Sequence, residues 1–395
     1  MKTETPDVLV IGLGAMGSAT VYQLAKRGVK VVGIDRFTPP HTFGSTHGET
    51  RITRQAIGEG RQFVPLALRS HEIWREIEAR TSKHLLTQCG GLFIARAGSS
   101  SHMHGQADFL GKTISAAEVF GIAHERLDAE AIRARFPQFT LHGDEVGYYE
   151  PGAGYLAPED CVSAQLDLAQ RLGADIRVNE KVEQMVAAGV TSRVVTDKAQ
   201  YQARVTIVCA GAWIPQLVPS LATVLKVRRQ VLYWFPVEGR MSYQSRDCPV
   251  YIWHWGNGPD DVFYGFPQVG DERVIKVATE QDIHETLPDA VNREVSVAEI
   301  AKMYADHVAE KLRGIGATSV RAATCLYTNA PGANFVIDRL PGQPDTIVVS
   351  ACSGHGFKHS AAIGEAVAEM AISGASPDVL LPFSLEALER ATSTA

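Results

Sequence analysis

Gly12-Leu13-Gly14-Ala15-Met16-Gly17 is a complete GxGxxG that directly follows the apolar run DVLVI (Asp7 to Ile11). Such a turn lets a backbone approach a pyrophosphate, and the helix behind it offers unpaired N–H groups and a positive dipole end. Asp35 stands 23 positions after Gly12, where a carboxylate accepts hydrogen bonds from a ribose diol. Strand, glycine turn, helix, second strand and acid agree, so a dinucleotide site is expected. The alternative is a glycine-rich turn in an unrelated α/β fold. Five further residues carry latent chemistry. Cys325 lies in ATCLYTN, a small and polar setting that suits either a reactive thiolate or an inert buried thiol. Lys358 follows SGHGF at the start of the last helix, where it is either solvated or turned toward an anion. Lys276 sits in RVIKVA, and alternation groups it with Val274 and Ala278 on one strand face. That face is either exposed or holds a cation buried for a purpose. Arg51 and Arg54 belong to a charged stretch with Arg61 and Arg69. A guanidinium fork suits a planar carboxylate, although a surface ion pair is the commoner fate of an arginine.

These groups need elements to hold them. Helical spacing runs from about Ala15 to Lys26, Gly28 stops it, and VKVVGI (Val29 to Ile34) reads as the second strand. A further helix is expected over about 67–80. LDLAQRLGADIRV (Leu166 to Val178) reads as helix, glycine stop and strand, and TIVCAGAW (Thr206 to Trp213) as a buried strand and turn. From Val227 to about Ala278, short alternating segments predict an antiparallel sheet. TIVVSA (Thr346 to Ala351) is a strand that runs through SGHG into a helix from about Phe357 to Ile372.

At 395 residues the chain predicts two domains. Its net charge of −6, with no long Lys/Arg run, argues against a nucleic-acid partner. Six scattered cysteines without a CxxC pair argue against zinc and against a disulfide framework, and make a reducing cytoplasm the expected compartment. No stretch approaches the ~20 apolar residues of a membrane span, and the N-terminus has no signal-peptide h-region. His102 and His104, separated by Met103, invite a metal reading, but i, i+2 histidines are weak ligands alone and are expected at the surface.

Four separated motifs stand together in order: PPHTFGSTHGETRITRQAIGEGRQFVPLALRS (Pro39 to Ser70), CLYT (Cys325 to Thr328), FVID (Phe335 to Asp338) and SGHGFK (Ser353 to Lys358). With them the chain resembles the monomeric sarcosine oxidase and N-methyltryptophan oxidase family over nearly its whole length. The resemblance implies an α/β fold: an FAD-binding Rossmann-type domain interleaved with an α+β substrate domain built on an antiparallel sheet. The expected boundaries are 1–85, 145–215 and 318–395 for the FAD domain, and 86–144 and 216–317 for the substrate domain. It also implies a monomer that oxidises a secondary amino acid to an imine, with O2 as acceptor and hydrogen peroxide as product.

Residue roles follow from the same resemblance. Gly12, Gly14, Gly17 and Asp35 bind the nucleotide, and His355 shapes the turn near the flavin. Cys325 matches the cysteine that carries FAD covalently through its 8α carbon. Arg54 and Lys358 match the ligands of the substrate carboxylate, and Lys358 also faces the flavin pyrimidine. Arg51 and His47 match positions that flank the flavin face. Lys276 matches the lysine that activates O2, where a cation favours developing superoxide charge. Tyr264 and Tyr327 match tyrosines lining the substrate pocket. Four residues beyond Lys276 sarcosine oxidase carries a histidine, and this chain has Glu280. That departure, and an extra residue between Gly265 and Lys276, argue against a strict sarcosine preference. N-methyl amino acids, cyclic imino acids and sugar-amine adducts stay open as substrates. Three rivals remain: an NAD-linked dehydrogenase, a flavin dehydrogenase using an acceptor other than O2, and an FAD-binding scaffold without turnover.

Overall fold

The computed structural model describes residues 3–99, 101–104, 106–188, 191–258, 260–281 and 284–393. Val8–Ile11, Val31–Ile34 and Val205–Val208 are short apolar strands buried along their whole length. Such runs suit only the middle of a sheet covered on both faces. They form the centre of a six-stranded sheet with Asp175–Arg177, Gln343–Ser350 and Val336–Leu340. Its pairings are parallel except that between the last two strands. On one face lie helices Ala15–Lys26, Val64–Thr81, Pro158–Arg171 and Ser360–Ser373, sharing a continuous core with the sheet. The glycine turn opens at the carboxyl end of the central strand Val8–Ile11, the ligand-binding edge of such sheets. Gly12 has φ +87°, and a Cβ on Gly17 would lie 1.7 Å from the Gly12 carbonyl. Helix and turn therefore close only with glycine at these places.

The second large sheet has eight strands in the order Arg321–Asn329, Lys226–Pro236, Val274–Ala278, Val262–Phe266, Val250–His254, Gly91–Arg96, Glu145–Glu150 and Glu125–Asp128. It is antiparallel as the alternation predicts, with one exception: Val250–His254 runs parallel to Gly91–Arg96. Local alternation cannot reveal which distant strand will lie alongside. Glu145–Glu150 and Arg321–Asn329 pair within this sheet, although the expected boundaries place both in the nucleotide-binding unit. A small sheet of Arg51–Thr53, Gly154–Leu156 and Leu86–Thr87 sets the arginine-bearing segment in place. Among the described residues no helix is long and apolar enough to cross a membrane.

Candidate active site

One cleft runs from the glycine turn to the face of the eight-stranded sheet. It is lined by Gly12, Gly14, Asp35, Arg51, Arg54, Tyr264, Lys276, Cys325, Tyr327, His355 and Lys358. Thus eleven positions singled out from sequence converge from segments more than 300 residues apart. Gly17 packs behind the turn, and His47 is buried next to the cleft beside Arg51.

At the middle of the cleft Lys276 is buried, which excludes the solvent-facing alternative. Its strand is flanked by Lys226–Pro236 and Val262–Phe266, so Trp234 and Phe266 lie beside it in register. Its Nζ donates to the carbonyls of Gly48 (2.6 Å) and Thr50 (2.7 Å) and lies 4.0 Å from the Phe266 ring centre. Burial and the neighbouring Arg51 charge push its ammonium well below the ordinary lysine value. Arg51 donates to the carbonyls of Thr50 and Ser45 (both 2.8 Å) and reaches the Cys325 sulfur at 3.7 Å. Burial raises the Cys325 thiol, and Arg51 is the principal opposing pull toward thiolate. His47 is pushed down to about 3, by burial first and then by Arg51 and Lys276. It is therefore neutral at physiological pH.

Beyond this middle lies a knot of buried charges. Arg54 follows the strand Arg51–Thr53, and its loop is pinned by Glu150, whose carboxylate accepts from the N–H groups of Gln55 (2.7 Å) and Ala56 (3.2 Å). The Arg54 Nη2 donates to both Glu59 oxygens (2.7 and 2.5 Å), and Nη1 donates to the Ala56 carbonyl. Its Nε–H is buried without an acceptor among the described residues. Burial would raise the Glu59 carboxyl, but Arg54, His355, Lys358 and a hydrogen bond from His104 hold it well below the usual range. Lys358 lies in the 3-10 turn Gly356–His359, just ahead of the helix Ser360–Ser373, and its Nζ donates to the His355 carbonyl at 2.6 Å. His355 is fixed by a 2.8 Å contact to the Ala333 carbonyl. The Tyr264 and Tyr327 hydroxyls share a hydrogen bond of 3.2 Å.

Residues 7–370 match the family described as FAD dependent oxidoreductase. The chain belongs to this family. It is 39% identical to the monomeric sarcosine oxidase of Streptomyces avermitilis, covering 94% of this chain and 95% of that one. It is 32% identical to the N-methyl-L-tryptophan oxidase of Salmonella dublin, with coverage of 96% and 98%. In fold it is similar to NikD, an unusual amino acid oxidase essential for nikkomycin biosynthesis, with a TM-score of 0.84 at 22% identity over 96% of this chain and 97% of that one. The protein is thus an FAD-dependent oxidoreductase, and an NAD-linked dehydrogenase is excluded.

The nucleotide end of the cleft fits FAD. The helix Ala15–Lys26 starts without a cap from its own N-cap residue, and only a long 3.4 Å contact from the Ala15 N–H to the Thr46 hydroxyl engages its first turn, so that end suits a phosphate. A Cβ on Gly14 would meet nothing closer than 3.5 Å, so the backbone there is open to the cleft. Asp35 already accepts from the N–H groups of Leu13 (2.7 Å) and Phe37 (2.8 Å), which orients its carboxylate toward the cleft with lone pairs to spare.

One expectation fails. His104 is not a surface residue: it is 7% exposed, with Nδ1 3.1 Å from Glu59, and it lines the cleft with Met103. The short hairpin His102–Met103/Gln106–Ala107 carries it inward. Among the described residues no cluster could hold a metal ion. Glu59 was also missed. Its one signal was an acid between Gly58 and Gly60, five residues after Arg54.

The Lys358 ammonium sets a pH dependence. Burial, reinforced by Arg54 and opposed by Glu59, brings it down to about 7. Below that value Lys358 is charged and attracts a carboxylate. Above it, binding requires proton uptake. The affinity of the resting enzyme for a simple carboxylate is therefore expected to fall by up to about tenfold per pH unit above neutrality. In Lys358→Met that slope should vanish. Titrating a carboxylate by calorimetry at several pH values checks this, and a flat wild-type profile overturns it.

Proposed function

We propose that this enzyme oxidises N-methyl or other secondary amino acids to imines and passes the two electrons to O2. The amine loses two electrons and two protons, O2 takes up both to give hydrogen peroxide, and water hydrolyses the imine to an amine and an aldehyde. FAD bound in the cleft supplies the two-electron relay. The observation that carries this reading is the Arg54 Nε–H, buried and without an acceptor among the described residues, in the cleft that Lys358 also lines. A buried donor without a partner costs about 1–3 kcal/mol, and a substrate carboxylate supplies the acceptor. Arg54 and Lys358 hold that carboxylate, Tyr264 and Tyr327 orient the rest of the substrate, and Lys276 stands ready for the charge that forms on O2. His47 and Arg51 back the cofactor, and Gly12, Gly14, Gly17, Asp35 and His355 contact or shape its site. The same reading takes the protein as a monomer in the cytoplasm, a reducing compartment that the six free cysteines support, with interleaved FAD and substrate domains in which Glu145–Glu150 and Arg321–Asn329 go with the substrate sheet.

A peroxide-coupled assay of secondary amino acids tests the reading. Each active amino acid should greatly outpace its decarboxylated amine, and equal turnover of the two would sink the claim. Formation of imine without peroxide would instead favour a dehydrogenase.

The same reading attaches FAD to Cys325 through its 8α carbon. Cys325 is 1% exposed, lines the cleft and has Arg51 as the cation that stabilises its thiolate. Acid-precipitated wild type should keep its yellow colour, while Cys325→Ser should release the flavin to the supernatant. Flavin in the wild-type supernatant would contradict the linkage.

A further inference from the structure

The two carbonyls that receive the Lys276 ammonium belong to a tight turn. Lys276 Nζ donates to Gly48 and Thr50, and the Gly48 carbonyl also accepts the Thr50 N–H at 2.8 Å. Gly48 has φ +98°, and Glu49 at the centre of the turn has φ +68°, in the left-handed region that a glutamate seldom adopts. A three-residue turn of this kind is strained and persists only where its surroundings fix it. Glu159, in the first turn of the helix Pro158–Arg171, supplies that anchor. One oxygen of its carboxylate accepts the N–H groups of Gly48 (2.6 Å) and Glu49 (3.2 Å). The Gly48–Glu49 peptide therefore lies between a carboxylate and an ammonium, with its N–H toward Glu159 and its C=O toward Lys276. Hydrogen bonds in series polarise one another, so the carboxylate makes that carbonyl a better acceptor for the cation. The Glu49 side chain steadies the turn from outside by accepting from the Trp234 indole (3.0 Å) and the Arg321 guanidinium.

Charge around the turn needs the same residue. Arg51 donates to the Thr50 carbonyl that Lys276 also uses, so two buried cations share one acceptor. Burial and Arg51 press Lys276 toward its neutral form, and Glu159, then Glu49 and Cys325, pull the other way. His47, the remaining titratable neighbour, is neutral and offers no counter-charge. Glu49 is already paired with Arg321 and is 43% exposed, so water screens it. Glu159 lines a second cavity together with Lys276, Trp234 and Phe266, and it is not part of the substrate cleft. Its support is therefore in place whether or not the cleft is filled. We propose that Glu159 is a positioning residue for the oxygen reaction, which holds the Lys276 ammonium in place through the Gly48–Glu49 peptide and balances its charge. The proposal rests on the reading of Lys276 as the cation that meets the charge forming on O2.

The test follows the reaction of the reduced holoenzyme with O2 across pH. It should be fast where Lys276 is charged and slow as pH rises through the Lys276 titration. Glu159→Gln presents an amide oxygen to the same two N–H groups and removes the charge. It should move that fall to lower pH by about one unit, so that between the two midpoints the rate drops up to about tenfold. Reduction of the flavin by substrate without O2 should change far less. Glu159→Ala also frees the turn and should slow the O2 reaction on the acid side of the fall as well. NMR of protein labelled at the lysine ε-carbon, with Lys276 assigned by its loss in Lys276→Met, follows the same titration without turnover. Its midpoint should shift with the rate. In a Lys276→Met background Glu159→Gln should add nothing. An unmoved midpoint in Glu159→Gln, equal slowing of both half-reactions, or further slowing in the Lys276→Met background overturns the proposal and leaves Lys276 in its role. If Lys276→Met does not slow the O2 reaction, the reading of Lys276 itself fails, and the proposal with it.

Discussion

Lys276→Met is expected to slow O2 consumption by the reduced enzyme about 100- to 1000-fold, while substrate oxidation in the absence of O2 slows far less. The first electron given to O2 creates a negative charge in a closed site. An ammonium already fixed there lowers that barrier without reorganising. Lys276 meets the structural requirement, because two backbone carbonyls and the Phe266 ring hold its Nζ in one position. The same burial lowers its affinity for a proton, so Arg51 next to it works against the charge, while Glu159 and Glu49 support it. Methionine keeps the length and the contact with Phe266 and removes the charge together with the hydrogen bonds to the Gly48 and Thr50 carbonyls. Stopped-flow mixing resolves the two halves of the cycle. Equal slowing of both halves would make Lys276 a packing or binding residue, and no change in either would place the oxygen site elsewhere.

Arg54→Met is expected to have two separable consequences. Loss of a charged partner weakens binding of the substrate carboxylate by a factor of about 30 to 1000. It also strands Glu59, which is buried and takes its closest ion pair from Arg54. Breaking such a pair from one side destabilises a protein by ~3–5 kcal/mol, because the remaining charge is uncompensated. Neutralising Glu59 as well removes the stranded charge. Arg54→Met/Glu59→Gln should therefore recover much of the stability and none of the carboxylate affinity. Thermal unfolding and ligand titration on the three proteins check this. A double variant that regains affinity would remove Arg54 from the binding site, and a stable single variant would show that Lys358 and His104 suffice to balance Glu59.

The nucleotide half of the site was legible in the linear chain. Strand Val8–Ile11, the glycine turn, helix Ala15–Lys26 and Asp35 lie within one short stretch, and their roles depend on backbone conformation over adjacent residues. Local steric rules act at that range, so residue type and spacing carry the information. The alternation of the segments from Val227 to Ala278 likewise announced an antiparallel sheet, because successive side chains of a strand point to opposite faces: Tyr233, Phe235, Ile275 and Val277 pack into one core, and Leu232, Trp234 and Ala278 into another. Lys276, Cys325 and Lys358 were visible as anomalies, a charge or a thiol in settings that did not call for one.

The charge knot of the substrate end was decided by tertiary structure alone. Arg54 and Glu59 meet within one loop, but Glu150 from the large sheet holds that loop, and His104 arrives on a separate hairpin. Nothing near His104 in sequence distinguishes it from a surface histidine. In the folded chain Glu59 meets its ring and Glu280 accepts its backbone N–H, the second of them 176 residues further along the chain. The same limit applies to the parallel pairing of Val250–His254 with Gly91–Arg96, which joins strands more than 150 residues apart. Pairing of buried charges and of distant strands depends on which surfaces the folded chain brings together. Periodicity and residue type report only what each segment can bury, and the partner is chosen by packing of the whole molecule.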